Sequence, residues 1–406
     1  MYIPRHLHST LQALIQQFPA LLLTGPRQVG KSTLLQRVAK NYDYVSFDDP
    51  LLLAQAKDEP QLFFLNHPEK VILDEVQYAP DLFSLLKLAI DKQQRNGMFL
   101  LSGSQAFELM QNVGETLAGR IAILKLSGLS LREIQQSPFT QPFIPSMDYL
   151  QNREAYLQKT DSIWQIIHQG YMPRLYQQKT DWHTYYASYV ATYIERDVRQ
   201  IANISSSLDF TRFMVAIAAR SGELLNYNSV AQDVGVSADT VKRWVAILKT
   251  SGIIYLLQPY ANNHLKRAIK TAKVYMLDTG LMAWLTKWLT PETIQQGAKS
   301  GQFFETFVVS EIIKSFYNQG KEPPLYFYRD TDQKEIDLLI EDGQTLYPVE
   351  IKMTANPNKR MAKAFDILRS NLPANELTIA HGTIINQYPK KLWLTENLMA
   401  VPLAYV

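Results

Sequence analysis

The sequence predicts an α/β protein that begins with a parallel sheet covered by helices on both faces. Within residues 1–140, short apolar segments alternate with helical stretches. The apolar segments read PALLLTG, DYVSFDD, KVILDE and GMFLLSGS. Strands that alternate with helices are typical of parallel sheets, because each connecting helix packs on a face of the sheet. With 406 residues and 46% hydrophobic content, the chain is long enough for more than one packed core.

Further regions follow from the patterns along the chain. After residues 1–140, the Pro-rich stretch SPFTQPFIPS is typical of a linker or surface loop. Residues 141–222 are predicted to be helical, and residues 223–290 to form a small domain of their own. Residues 291–406 return to mixed α and β structure.

The composition limits which partners, metal sites and cellular locations are possible for the protein. The 41 basic and 38 acidic residues leave a net charge of +3, so only a local cluster could indicate a nucleic-acid partner. The sequence has no cysteine, which excludes disulfides and thiolate metal sites. No apolar run approaches the roughly 20 residues of a membrane span, and MYIPRHLHST lacks the apolar core of a secretory signal. We therefore expect a soluble cytoplasmic protein without membrane contact.

The segment after the first predicted strand has the spacing of a phosphate-binding loop. GPRQVGKS fits G-x-x-x-x-G-K-[ST], the Walker A pattern. Its glycines let the backbone curl so that N–H groups face phosphate oxygens, and the following helix directs its positive end at the same anion. Lys31 is expected to reach the β- and γ-phosphates of ATP, and the Ser32 hydroxyl to ligate Mg²⁺. The candidate nucleotide-binding residues are Gly25, Pro26, Arg27, Gln28, Val29, Gly30, Lys31, Ser32 and Thr33.

A second motif predicts hydrolysis as well as binding. KVILDEVQ is an apolar strand that ends in Asp74 and Glu75, the form of a Walker B motif. Asp74 would hold Mg²⁺ through water, and Glu75 would polarise the attacking water. Two acids at the end of a strand are common in isolation, but they indicate an ATPase site when they follow a phosphate loop.

Two further roles have more than one candidate. If MFLLSGSQ is a strand between the two Walker strands, then Ser104 or Gln105 would contact the γ-phosphate or the water; the alternative is a plain turn. Arg120 in ETLAGRIAIL, or Arg196 in YIERDV, is a candidate arginine finger that acts in cis or from a neighbouring subunit. A finger from a neighbour would require a homo-oligomer, whereas a cis arginine is compatible with a monomer.

Together these motifs resemble a bacterial and archaeal family of AAA-type ATPases. The matching segments are GPRQVGKST, VILDEVQ, LLSGSQ, LAGR, YIERDV and QGYMPRLY, in which Gln169 replaces a glycine of the family pattern. The resemblance covers nearly the whole chain. It implies an ATPase core over residues 1–140, a helical and winged-helix segment, and a C-terminal domain of restriction-endonuclease-like, or PD-(D/E)XK, fold whose function is unknown.

Residues 223–290 fit a winged helix-turn-helix. NSVAQDVGVSADTVKRWVAILKTSGII predicts helix, turn, helix and strand, with Ser237 as an N-cap and IIYLLQPY as a wing strand. From Asp239 to Lys273 there is one acid against seven basic residues, a local excess that favours phosphate contacts. The alternative is a winged helix that contacts protein. The candidate DNA-binding residues are Lys242, Arg243, Lys249, Lys266 and Arg267.

The C-terminal region carries a candidate metal site. EIDLLIEDGQTLYPVEIKM predicts two strands and a turn, with Asp337 on the first strand and Glu350 and Lys352 on one face of the second. The endonuclease-like resemblance adds Glu305, near the start of the preceding helix. The three carboxylates would bind Mg²⁺ or Mn²⁺, and Lys352 would orient or help to deprotonate water. The pattern is weak alone, and the same fold can serve only for DNA or protein contact.

The sequence therefore predicts a protein that binds and hydrolyses ATP and couples its nucleotide state to DNA binding. Two alternatives stay open. One is a metal-dependent DNA nuclease that ATP controls, with Asp337, Glu350 and Lys352 as catalytic residues. The other is a nucleotide-dependent switch that binds another protein and no DNA.

Overall fold

The structure is a computed structural model that describes residues 2–103, 116–160, 162–192, 207–260, 271–329, 333–371 and 377–406. Its first sheet has the strand order β2-β3-β4-β1-β5, and all pairs are parallel. The strands are β1 (Ala20–Thr24), β2 (Asp43–Ser46), β3 (Val71–Asp74), β4 (Phe99–Gly103) and β5 (Ile121–Lys125). The predicted parallel sheet is confirmed, and β4 lies between the two Walker strands β1 and β3.

Helices cover both faces of this sheet. They are α1 (Leu7–Ile15), α2 (Lys31–Val38), α3 (Pro50–Asp58), α4 (Pro60–Asn66), α5 (Leu82–Gln93) and α6 (Leu131–Ile134). Along β1, Leu21 and Leu23 belong to one buried cluster, whereas Ala20 and Leu22 belong to another. Successive strand residues point to opposite faces, so β1 is buried on both sides, as parallel strands in α/β folds are.

The middle of the chain is mainly helical. Its helices are α7 (Met147–Glu154), α8 (Ile163–Gln169), α9 (Pro173–Gln177), α10 (Trp182–Tyr189), α11 (Ser207–Ala219), α12 (Tyr227–Val234), α13 (Ala238–Thr250), α14 (Thr279–Leu285) and α15 (Pro291–Gln296). Between α12 and α13, Gly235 has a φ of 85° and ends the first helix, and the Ser237 hydroxyl accepts from the Thr240 N–H at 3.1 Å. Both features match the predicted turn and N-cap. An antiparallel hairpin of β6 (Ile254–Pro259) and β7 (Lys273–Met276) follows.

The C-terminal region forms a second, mixed sheet. Its other elements are α16 (Ser300–Tyr317), β8 (Leu325–Arg329), β9 (Glu335–Asp342), β10 (Thr345–Ile351), α17 (Ala364–Asn371), β11 (Thr378–Ile379), β12 (Gly382–Asn386), β13 (Leu392–Thr395) and β14 (Leu398–Pro402). The order is β13-β14-β12-β10-β9-β8-β6-β7, with β11 beside β10. Because β6 pairs with β8, the β6–β7 hairpin that follows the helix-turn-helix is also part of the C-terminal sheet.

Within the described parts of the chain, no helix combines the length and the apolar character that a bilayer span needs.

A buried arginine ties the N-terminal segment to the phosphate loop. Arg5 is 5% exposed. Its Nε lies 3.1 Å from Glu133 Oε1, and its Nη1 donates to the Val29 carbonyl at 2.7 Å. Burial acts to raise the pKa of Glu133, but the charge of Arg5 holds it below its usual value. Arg5 and Glu133 are therefore a buried charge pair that fixes one side of the loop.

Replacing Arg5 with methionine is expected to lower the free energy of unfolding by about 3–5 kcal/mol, because Glu133 would remain buried without its partner. Urea denaturation measures the change. The control is Lys125→Met, since Lys125 pairs with Glu322 at an exposed site and its loss costs at most about 1 kcal/mol. Equal losses for the two variants would contradict the importance of the buried pair.

Candidate functional site

The loop between β1 and α2 has the geometry of a phosphate cradle. Gly25 has a φ of 143°, and a Cβ there would collide with the Leu126 carbonyl oxygen. Gly30 has a φ of 93° and is the N-cap of α2. Lys31, the first residue of α2, is 5% exposed, and its Nζ donates to the carbonyls of Gly25 at 3.0 Å and Pro26 at 2.9 Å. The loop therefore places a cation and a helix N-terminus at the carboxyl edge of the sheet.

Burial lowers the pKa of Lys31 to about 8, although the carboxylates of Glu75 and Asp74 act to raise it. Both acids come from the end of β3, which lies at the same edge of the sheet. The charges of the predicted Walker motifs are thus near one another in the folded chain.

Ser32 and Asp74 converge on one hydroxyl group, that of Tyr44. The Tyr44 hydroxyl donates to Asp74 Oδ2 at 2.6 Å and also interacts with the Ser32 hydroxyl. The other oxygen, Asp74 Oδ1, accepts from the Ser102 hydroxyl. Burial raises the pKa of Tyr44, and so does its bond to Asp74. Two oxygen ligands that reach the same point fit the predicted Mg²⁺ site, provided that the phenol moves aside.

Glu75 is held in an unusual backbone conformation. Its φ is 55°, in the left-handed region, which is uncommon for a residue other than glycine. Gln77 Nε2 donates to Glu75 Oε2 at 2.5 Å, and Gln77 Oε1 is buried with no hydrogen-bond partner in the described structure. Strained residues cluster at functional sites. The Glu75 carboxylate thus lies in the cavity with a fixed orientation.

A cavity of about 1060 Å³ surrounds these groups, a volume that suits a nucleotide. It is lined by Arg27 to Thr33, Asp48 and Glu75. Further lining residues come from outside the Walker motifs; they are Tyr2, Ile3, Arg5, Arg37, Leu129, Pro173, Arg174, Gln177 and Gln178. The sequence argument assigned a role to none of these. The one available signal was QGYMPRLY, which contains Arg174 but says nothing about what it contacts.

The predicted cis role of Arg120 is wrong. Arg120 directly precedes β5, which runs parallel to β1. It therefore lies at the amino edge of the sheet, and the length of β1 separates it from the phosphate loop by about 15 Å. Its guanidinium forms two hydrogen bonds, of 2.6 and 3.1 Å, with the Asp91 carboxylate on α5.

Other predicted residues lie outside the described part of the chain. These are the sensor candidates Ser104 and Gln105, the second arginine candidate Arg196, and the DNA candidates Lys266 and Arg267. Lys242, Arg243 and Lys249 are described, and all three are exposed on α13.

The C-terminal acids come together as the sequence predicts, but with lysines among them. Lys352 Nζ lies 2.9 Å from Asp337 Oδ2 and 2.5 Å from Glu350 Oε2. The Ile351 N–H also donates to Asp337 Oδ2 at 2.8 Å. Burial raises the pKa of Glu350, as does the nearby charge of Asp337. Lys352 therefore pairs with both the Asp337 and the Glu350 carboxylate.

Lys273 pairs with the remaining acids of this cluster. The sequence had indicated it only as one of the basic residues near the predicted wing. It lies on β7 and is 4% exposed. Its Nζ lies 2.5 Å from Glu335 Oε1 and 3.8 Å from Glu305 Oε1. The Tyr275 hydroxyl donates to Glu305 Oε1 at 2.6 Å.

The predicted Mg²⁺ or Mn²⁺ site of Glu305, Asp337 and Glu350 does not match this arrangement. Throughout the described ranges, no three acidic or histidine side chains are grouped so that they could hold a metal ion. Each of the three carboxylates instead contacts a lysine. We name the group Lys273, Glu305, Glu335, Asp337, Glu350 and Lys352 the C-terminal charge cluster.

Family models match three parts of the chain. Residues 17–135 match the model described as an AAA domain. Residues 160–292 and 300–406 match domains of unknown function, DUF8612 and DUF4143 respectively. With the parallel sheet and the loop at its carboxyl edge, the first match makes the N-terminal region similar to an AAA-type P-loop domain.

Relatives are similar along almost the whole chain. Uncharacterized proteins of Mycobacterium bovis and Mycobacterium tuberculosis are each 27% identical to it over 396 residues, which is 97% of this chain and 82% of theirs. The similarity therefore spans all three matched regions.

Solved structures resemble the chain only distantly. A Walker-type ATPase of Pyrococcus abyssi is 16% identical with a TM-score of 0.39, and covers 69% of this chain and 94% of its own. The RuvB Holliday junction branch migration motor of Thermotoga maritima is 20% identical with a TM-score of 0.31, and covers 62% and 89%. Likenesses at this level say nothing about what the present chain binds.

Removing the Lys273 charge should open the C-terminal charge cluster. Lys273→Met is expected to lower the free energy of unfolding by about 3–5 kcal/mol, since buried acids lose their partner. Mn²⁺ should restore part of that stability in the variant and leave the wild type unchanged. Thermal unfolding with Mn²⁺ or with EDTA measures both effects.

The matched control is Lys299→Met, which removes an exposed pair with Glu223. A wild-type melting temperature that rises with Mn²⁺ would show that the wild-type cluster binds metal after all.

Proposed function

We propose that this protein binds and hydrolyses ATP and that its nucleotide state controls DNA binding through the helix-turn-helix. One observation carries the proposal: Lys31, Ser32 and Glu75 line one nucleotide-sized cavity at the carboxyl edge of an AAA-type P-loop sheet, and Asp74 lies beside them at the end of β3. In open α/β sheets this edge is where ligands bind.

In the proposed hydrolysis, each of these side chains has a separate role. Lys31 leaves the carbonyls of Gly25 and Pro26 to neutralise phosphate oxygens, while the N–H groups at the start of α2 donate to them. Ser32 and Asp74 would hold Mg²⁺, which would offset further phosphate charge. The Glu75 carboxylate orients the attacking water and accepts its proton. Arg174, which lines the cavity from α9, supplies in cis the cation that the sequence had placed at Arg120.

Glu75→Gln should retain ATP binding and lower the hydrolysis rate by about 100-fold or more, because the group that accepts the proton is gone. Lys31→Ala should instead abolish binding. Phosphate release and binding of a fluorescent ATP analogue measure the two effects.

Glu69→Gln, at an exposed position in the same domain, should behave as wild type. A wild-type protein that hydrolyses no ATP, with or without DNA, would exclude the hydrolytic function.

The DNA part of the proposal rests on α12, α13 and the β6–β7 hairpin, whose order fits a winged helix. Val241, Trp244 and Leu248 bury one face of α13, whereas Lys242, Arg243 and Lys249 lie on its exposed face. A packed helix that exposes its basic residues suits contacts with phosphates.

We also propose that residues 300–406 have an endonuclease-like fold, supported by the order α16, β8, β9, β10 and by the convergence of their acids. The C-terminal charge cluster does not fit a metal, so no cleavage step is derived from it. A role in contact with DNA or protein is consistent with the closed cluster.

The double variant Lys242→Ala/Arg243→Ala should weaken DNA binding and reduce the slope of log affinity against log salt by about 2, because two phosphate contacts are lost. Fluorescence anisotropy at several salt concentrations measures the slope.

Lys92→Ala/Arg95→Ala removes two exposed charges near the end of α5 and should leave the slope unchanged. If the wild-type protein binds no DNA at low salt, the result would instead favour the switch that binds another protein.

A further inference from the structure

The phosphate loop contacts parts of the chain that lie well beyond the ATPase core. Gln28 has a φ of 64°, in the left-handed region. Its Oε1 accepts a hydrogen bond of 2.8 Å from the Tyr185 hydroxyl on α10. A residue other than glycine keeps this conformation only where its surroundings hold it. Tyr185 is 6% exposed whereas Gln28 is an exposed residue, so the bond is part-buried.

Tyr185 is itself held by a buried network. Its ring packs edge-on against Tyr186, with centroids 5.3 Å apart. The Tyr186 hydroxyl donates to Asp278 Oδ1 at 2.8 Å. Asp278 is the N-cap of α14, where it accepts from the Leu281 N–H at 2.8 Å, and it also accepts from the Tyr171 N–H at 3.0 Å. Helix α10 is therefore fixed to α14 and cannot follow the loop freely.

A second contact joins the loop to the end of α13. Gly252, just after that helix, has a φ of 70°, and a Cβ placed on it would lie 3.0 Å from Pro26 Cδ. The helix that carries the candidate DNA residues thus ends directly against the phosphate loop. A change in the loop conformation therefore acts on α10 through Gln28 and on the end of α13 through Pro26.

Nucleotide binding has to change this loop. Lys31 Nζ now bonds the carbonyls of Gly25 and Pro26, which stand three and two residues before Gln28 in the loop. When Lys31 turns to phosphate, those carbonyls lose their donor. The Gln28 side chain then becomes one of the remaining restraints on the loop.

We propose that the Gln28–Tyr185 hydrogen bond is a latch that positions the phosphate loop for nucleotide and passes nucleotide occupancy to α10 and α14. The latch rests on the proposed nucleotide binding and adds to it a means of communication. Gln28 and Tyr185 are positioning residues, because each acts through the loop backbone.

The first test is the affinity for MgADP, measured by calorimetry. Tyr185→Phe and Gln28→Met should each weaken binding about threefold to tenfold, the effect of one neutral hydrogen bond. The double variant should be no weaker than either single variant, since both remove the same bond.

The control for this test is Tyr176→Phe. Tyr176 also donates one hydrogen bond, to the Gly170 carbonyl at 2.7 Å, but that bond does not involve the loop. This variant should bind as wild type. Wild-type protein that binds no MgADP would overturn the nucleotide site itself. Wild-type affinity retained in Tyr185→Phe would overturn only the latch.

The second test asks whether occupancy reaches α14. The amides of Tyr171 and Leu281 both donate to Asp278, so their hydrogen exchange reports on the network. MgADP should slow exchange at both amides in wild type and in Tyr176→Phe, and leave it unchanged in Tyr185→Phe at saturating nucleotide. The same slowing in Tyr185→Phe, or none in wild type, would overturn the communication.

Discussion

The packing around one short loop organises this molecule. The backbone from Gly25 to Gly30 can follow its path only because Gly25 has no Cβ to meet the Leu126 carbonyl. Arg5 holds the Val29 carbonyl, Tyr185 holds the Gln28 side chain, and Gly252 lies against Pro26. These four contacts come from well-separated parts of the chain. The loop is therefore a junction between the N-terminal sheet, the middle helices and the end of α13.

Local features of the site could be predicted from the sequence because their chemistry is local. The spacing from Gly25 to Ser32 defines the loop, and an apolar run followed by Asp74 and Glu75 defines the strand end. Ser237 as a helix cap follows from the same kind of short-range rule. In each case the residues that act together are neighbours in sequence, and no knowledge of the distant packing was needed.

The sequence-based predictions failed where packing between distant segments determines which side chains come together. The cis role of Arg120 was wrong because IAIL was not recognised as a fifth parallel strand, which places the arginine at the amino edge of the sheet, away from the phosphate loop. Arg174 lines the cavity from a later helix. Tyr44 bonds Asp74 from a neighbouring strand, and Tyr185 bonds Gln28 from another later helix. Their residue types are common, and their distance in sequence from the Walker motifs indicates no role at the site. Only the folded chain shows that they share the site.

The phosphate loop and the C-terminal charge cluster differ in whether their charged groups are free to bind a ligand. At the phosphate loop, Lys31 and Glu75 line an open cavity, and Lys31 bonds carbonyl oxygens that it can leave. In the C-terminal charge cluster, Lys352 and Lys273 bond the carboxylates directly, and Lys273 is almost fully buried. Burial acts to lower the pKa of Lys273, but Glu305 and Glu335 outweigh it and keep the lysine charged. Lys273 lies on β7 opposite Leu257 of β6, so its ion pairs with Glu305 and Glu335 tie the hairpin that follows α13 to α16 and β9. The acids that were predicted to hold a metal are thus paired with lysines, and one of these lysines belongs to the hairpin that follows α13.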